Sequence, residues 1–305
     1  MGLLLPNVAL TGDASAFVLQ STAGEPEKQA AAGMLVYNTA HVLKGPGLYV
    51  WNGASWMALR ENPNSITDDR DGNWYSTGDF GAAGTWMTMN LRYKGELTWK
   101  TNYAYPGKDN SSSNSIEPAV VADEGLLYNW GTTTGITTSA NEGAETVNKN
   151  HDIRQGICPN GWHVPSDVEW NELEEEIAAS GIEVYSTIGP TDWEAGWQTA
   201  YAAYRGTHGE KMKSTKWVNN TNPNGASLAS DANGFDILLA GLDENTTKPA
   251  IEYGQMAFLW SSSSNTGSFA WVRIFHSGTG VNRTFRGKNE FFSVRCKMDN
   301  LPIND

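Results

Sequence analysis

Apolar positions recur along this chain in short bursts, and the clearest helical period lies between residues 156 and 180. Pro159-Asn160-Gly161 predicts a turn, because Pro fixes φ and Asn-Gly tolerates positive φ. Trp162, His163 and Val164 then read as a short strand halted by Pro165. Ser166 with Glu169 three residues on makes a capping box, each satisfying the other's backbone N–H. From there Trp170, Leu173 and Ile177 repeat on one helical face, and Glu172 and Glu174 to Glu176 are assigned to water. The helix is expected to end near Ser180-Gly181, with glycine in the left-handed conformation.

Elsewhere the pattern is that of strands and loops. Residues 3–32 hold no clear period. Residues 33–39 and 47–59 predict strands, the latter folded at Asn52-Gly53, a hairpin-turn pair. They suggest a small all-β module over 1–64, and Pro and Asn at 61–65 make the best linker. Residues 66–75 alternate into a strand around an Asp-Gly turn. The acidic cluster there (Asp68, Asp69, Asp71) lacks the twelfth-position Glu and flanking helices of an EF-hand, so turn-forming carboxylates are expected rather than a metal site. Residues 106–119 and 131–155 form polar excursions flanking a buried aromatic segment at 125–130. Thr191 with Glu194 in the box position predicts a second helix over 191–204. Residues 233–241 and 269–275 read as strands, and a Gly-rich turn at 277–280 leads into 281–286. No repeat of solenoid length occurs.

Thirteen Trp, eleven Tyr and nine Phe among 305 residues supply large buried areas, while thirty-two Gly favour loop-rich β structure over a helical bundle. A net charge of −13 argues against a nucleic-acid surface or an anionic membrane as partner. No run of about 18 apolar residues is present to span a bilayer. Residues 1–7 lack a basic n-region and a full apolar h-region. A leader has been removed, or the protein leaves its cell without one, as a phage virion protein released by lysis does.

The run Gly156-Ile157-Cys158-Pro159-Asn160-Gly161-Trp162-His163-Val164-Pro165-Ser166-Asp167, followed by Glu169 and Trp170, resembles the core motif of the Fibrobacter succinogenes major paralogous domain. That domain occurs in surface proteins of Bacteroidetes-type bacteria. Further pieces match in order: 86–93 (Trp-Met-Thr-Met-Asn-Leu-Arg-Tyr), 125–130 (Gly-Leu-Leu-Tyr-Asn-Trp), 258–263 (Phe-Leu-Trp-Ser-Ser-Ser) and 292–296 (Phe-Ser-Val-Arg-Cys). The resemblance covers roughly 65–298 and implies an α+β architecture of the C-type lectin-like, formylglycine-generating-enzyme-like kind. Mixed short β-sheets and about two helices are expected over 65–305, after the N-terminal module. It also places Cys158 at the entry to the main helix and Cys296 in the closing strand, implying a disulfide; two buried thiols are the alternative. A bridge would add about 4–5 kcal/mol in the chain-entropy picture.

The resemblance also directs attention to residues 260–289 as a ligand-binding face. Aromatic rings (Trp260, Phe269, Trp271, Phe275, Phe285) mix there with cations (Arg273, Arg283, Arg286). Small polar groups accompany them: Ser264, Asn265, Ser268, His276, Asn282 and Asn289. Rings stack on apolar C–H faces and small polar groups adapt to hydroxyls or amides, which suits a glycan or a protein epitope. The opposing reading is that alternate aromatics point into the core and the arginines pair with this chain's own carboxylates. Neither catalytic residues nor a cofactor or metal are expected. The formylglycine-generating enzymes need two nearby cysteines in the C-terminal half, where only Cys296 lies. Nucleophile elbows, His-Glu-x-x-His helices and phosphate loops are missing. The histidines (41, 151, 163, 208, 276) share no ligand spacing. The calcium–sugar motif of animal C-type lectins is absent too, for Glu117-Pro118-Ala119 lacks its Asn. These features point to a non-enzymatic, adhesin-like protein at the cell surface or outside the cell. The alternative is a phage tail or retroelement-diversified receptor-binding protein in a virion, its N-terminal module docked to a larger assembly. A carbohydrate-active enzyme is a third, weaker reading.

Overall fold

The computed structural model describes residues 7–8, 32–38, 47–52, 55–58, 64–107, 124–136, 154–201, 203–228, 233–245 and 250–299. Residues 108–119 and 137–153 of the expected polar excursions, 61–63 of the expected linker and nearly all of the stretch at 3–31 lie outside them. The chain divides into two compact units, Met1–Tyr75 and Ser76–Asp305.

The first unit carries a four-stranded sheet in the order β1-β2-β3-β4, from Asn7–Val8, Leu35–Asn38, Gly47–Trp51 and Trp56–Ala58. β1 runs parallel to β2, and the other pairings are antiparallel. Trp51 and Trp56 face each other across the β3–β4 hairpin with ring centroids 5.3 Å apart. Asn52 begins the turn as expected, its Oδ1 accepting from the Ser55 N–H at 2.7 Å; Gly53 lies outside the described residues. β5 (Ser65–Thr67) follows, then a tight turn into β6 (Trp74–Asp79), within which the two units divide. In that turn Asp68 accepts from the Arg70 side chain, and Asp71 accepts from Asn73. Their oxygens close the loop, as turn-forming carboxylates do.

In the second unit, β6 pairs with β7 (Thr85–Met87), which pairs in turn with the closing strand β16 (Lys297–Met298). A small sheet joins β8 (Tyr103–Ala104), β9 (Leu127–Asn129) and β15 (Phe291–Phe292). α1 (Trp130–Thr134) follows β9, and β10 (Trp162–His163) pairs with β16. The one long helix, α2 (Asp167–Ala179), starts with the expected capping box at Ser166 and Glu169. Short α3 (Ile182–Tyr185) and α4 (His208–Met212) complete the helices described. The sheet with the longest strands has the order β11-β14-β13-β12, from Tyr204–Arg205, Val281–Gly287, Phe269–His276 and Met256–Ser264. The unit is α+β, with several small, mainly antiparallel sheets around one helix.

The core lies between α2 and the β12–β14 sheet. Trp170, Leu173 and Ile177 pack with Trp86, Phe235, Leu259, Phe275 and Val281, and Trp86 meets Trp170 at 5.1 Å. Buried indoles need partners for their N–H groups. Here Trp170 donates to the Trp260 carbonyl, Trp130 to the Ser261 carbonyl and Trp260 to the Tyr128 carbonyl. The first two acceptors sit where the β12–β13 register shifts between Trp260 and Ser264, so the broken ladder supplies the carbonyls the indoles require. Cys158 and Cys296 are disulfide-bonded, tying the entry of α2 to the closing strand.

Three local expectations differ. In place of the helix expected over 191–204, the described residues hold one 3-10 turn, Ala195–Gln198. Carbonyls that a helix would use accept side chains instead: Trp197 from Arg205, Gln198 from Asn171, and Thr199 and Ala200 from Arg283. The strand expected over 233–241 makes single bridges only, because Asn233 and Asp236 take φ of +65° and +55° and interrupt the extended run. α2 does not end on a left-handed glycine; Gly181 has φ −61°, and the Lys211 ammonium caps the helix by donating to the Ile177 and Ser180 carbonyls.

Candidate functional site

Alternation along β13 and β14 sorts one sheet face into zones. Phe275 and Val281 lie in the core beneath α2. Arg273 and Arg283, cross-strand neighbours, come next and are buried. Trp271 and Phe285, also paired across the hairpin, and then Phe269 emerge toward solvent. The expectation of an exposed face holds for the outer half of the set, and the opposing reading, rings in the core and arginines on the chain's own carboxylates, holds for the inner half.

The buried arginines meet a polar stripe of α2. Asp167, Asn171 and Glu174 recur at i, i+4 and i+7 and so share one face. Asp167 accepts from Arg273 Nη1 at 2.6 Å and from Arg283 Nη2 at 2.6 Å. Glu174 accepts from Arg273, from Arg205 and from His208 Nε2, and Asn171 Oδ1 accepts from both Arg205 and Arg273. Glu174 is fully buried, not solvent-facing as expected, because its carboxylate is the hub for these donors. Burial works to raise the pKa of both acids. The surrounding arginines outweigh it and hold Asp167 and Glu174 below the usual carboxylate range.

This cluster braces the emergent aromatics. The Arg283 guanidinium sits 3.8 Å from the centroid of the Trp271 ring, a cation–π contact in a desolvated setting. Arg283 and its neighbours also hold the carbonyls of residues 197–200, which fixes the following residue, Tyr201. Tyr201 lies 5.9 Å from Trp271 and 6.0 Å from Phe285, and Phe269 lies 5.7 Å from Phe285. Tyr201 is 57% exposed and Phe269 42%. Four rings thus form one platform on two strands and a tethered loop. Sequence reasoning missed Tyr201 because it was placed within a helix; the exposed aromatic beside two small residues was its only signal.

The other expected site residues divide. Trp260 and Phe275 are core side chains. Ser264 is buried between Lys288 and the Thr266 carbonyl. Arg286 is held by Glu290, and His276 packs on Tyr204 at 4.0 Å. Asn265 and Asn282 are half-buried, whereas Ser268 and Asn289 are exposed near the hairpin's outer end. A separate ion cluster joins His163 to Glu169 and Asp299, with Lys297 also on Glu169, and locks β10, α2 and β16 together. Among the described residues no group of three or more His, Cys, Asp or Glu is placed to hold a metal ion. Nor is any described helix long and apolar enough to cross a membrane.

The sequence model of the Fibrobacter succinogenes major domain matches residues 82–296, and the chain belongs to that family. A model of a phage tail like trimerisation region matches residues 1–70. No curated protein and no solved structure matches the chain.

Proposed function

We propose that this protein is a non-enzymatic receptor-binding protein that assembles as a trimer through its N-terminal region and engages a glycan or protein on another surface. The platform of Tyr201, Phe269, Trp271 and Phe285 is the observation that carries this reading. Exposed rings cost solubility unless they are used, and these are mounted on two strands and a loop that a buried ion cluster fixes from beneath. Aromatic anchors of that kind dominate binding energy at interfaces. The carboxylates near the platform are consumed by arginines, which suits a scaffold and not acid–base chemistry.

The trimerisation match favours a phage-tail-like or other fibre-borne placement over a monomeric adhesin, with residues 1–64 as the docking module. A C-type lectin-like fold for residues 65–305 is consistent with family membership and with a long C-terminal hairpin facing one helix. Three platforms on one trimer would raise avidity well above single-site affinity. Mass measurement in solution and binding to a panel of bacterial cells test the proposal together. A trimer that binds cells, and loses binding on Trp271→Ala, supports it. A monomer, or cell binding indifferent to Trp271, contradicts it.

A further inference from the structure

Charge and hydrogen bonding around the platform select among the ligands it could take. The three nearby arginines are already ion-paired, Arg273 with Asp167 and Glu174, Arg283 with Asp167, and Arg286 with Glu290, although Glu174 also serves Arg205. The Lys288 ammonium is turned onto the Trp130 ring at 3.9 Å and donates to Ser264. Arg273 and Arg283 are also buried, and the chain carries a net charge of −13, so a carboxylate, sulfate or phosphate on the rings would meet only cations that are covered or already engaged.

Two polar atoms on the platform remain unspent. Among the described residues, the Trp271 indole N–H and the Tyr201 hydroxyl have no protein hydrogen-bond partner, while their rings lie 5.9 Å apart. An apolar side chain covering these rings would bury two unsatisfied groups, which is unfavourable. A pyranose presents an apolar C–H face beside hydroxyls that accept from an indole N–H and exchange hydrogen bonds with a phenol. Arg283 covers one face of the indole and leaves it half-exposed, so a ring face or edge remains for stacking.

We infer that the platform recognises a neutral glycan, with Trp271 as the stacking residue and the Trp271 N–H and Tyr201 hydroxyl as the groups that orient the sugar. The inference rests on the receptor-binding reading above and narrows it to one ligand class. The full chain is applied to an array of neutral and acidic oligosaccharides, and the best neutral one is then titrated against the parent, Trp271→Ala and Tyr201→Phe. Neutral glycans should dominate the bound set. Trp271→Ala should weaken binding at least roughly thirtyfold, and Tyr201→Phe, which removes one hydroxyl and leaves the ring, about fivefold to tenfold.

Binding of no neutral glycan, a preference for acidic ones, or affinity unchanged in both variants overturns the inference. Should Trp271→Ala fold poorly, the Tyr201→Phe result decides alone. Glycosidase-treated cells separate this inference from the broader reading. If treated cells still bind the parent and Trp271→Ala abolishes that binding, the glycan assignment fails and the receptor-binding reading stands. If both variants bind untreated cells as the parent does, the receptor-binding reading fails as well.

Discussion

Arg273 and Arg283 lie directly opposite each other on β13 and β14, both buried, and are kept together by a single carboxylate, Asp167, at the first position of α2. Like charges facing across strands repel, so the pair leans on this shared acid, with Glu174 a further partner for Arg273 alone. Asp167→Asn should therefore cost about 3–5 kcal/mol, the range for removing one partner of a buried ion pair. Denaturant unfolding of the variant checks this, and a change below about 1 kcal/mol would mean that the cluster is solvated.

The disulfide joins residues 138 apart in sequence. Closing so long a loop is worth about 5 kcal/mol in the chain-entropy picture, a ceiling that native strain commonly lowers. The double variant Cys158→Ser, Cys296→Ser should unfold at a markedly lower denaturant midpoint than the oxidised parent. Peptide mapping without reductant should recover the crosslinked pair; two free thiols in the oxidised protein would be inconsistent with the fold.

Opposed titrations meet at His163. Burial alone lowers its pKa, but Glu169 and then Asp299 outweigh that and raise it above 6.5. The stabilisation from charged His163 is thus complete below pH 6.5 and lost as pH rises through the raised value. Burial raises the pKa of Glu169, yet His163, Lys297 and the Ser166 N–H bring it down to about 2. Its contribution is present above pH 4.5 and lost as pH falls toward 2. Both operate together between pH 4.5 and 6.5. The difference in unfolding free energy between parent and His163→Gln should be largest there and shrink on the alkaline side. A difference that grows with pH above neutrality would refute the assignment.

Trp170 is a fully buried pillar of the core. Trp170→Ala should cost about 3–5 kcal/mol, and Ser166→Ala about 1 kcal/mol through the lost cap. Thermal unfolding measures both. A Trp170→Ala protein with unchanged melting but no ligand binding would reverse the assignment.

Local instructions were legible from sequence and distant partnerships were not. The start of α2 is written within four residues, by Ser166 and Glu169, and its apolar stripe follows at helical spacing. The disulfide was accessible only through the family resemblance, since nothing local links residues 158 and 296. Glu174 was misread because it stands beside Glu175 and Glu176, and the hydrogen-bond donors that bury it come from residues 205, 208 and 273. The burial of Arg283 has the same origin, for its acid lies 116 residues earlier. Tyr201 was lost to a helix whose carbonyls are in fact held by arginine and asparagine side chains, a tertiary effect that no capping motif reveals.

The most direct test of the platform is a binding isotherm on receptor-bearing cells for the parent, Trp271→Ala, Tyr201→Ala and Trp217→Ala, with melting temperatures taken alongside. Trp217, 59% exposed on a different loop, controls for loss of any surface indole. The account predicts at least roughly tenfold weaker binding for the two platform variants, parental binding for Trp217→Ala, and Tyr201→Ala stability within about 0.5 kcal/mol of the parent. Parental binding by both platform variants, or its loss with Trp217→Ala alone, would contradict it.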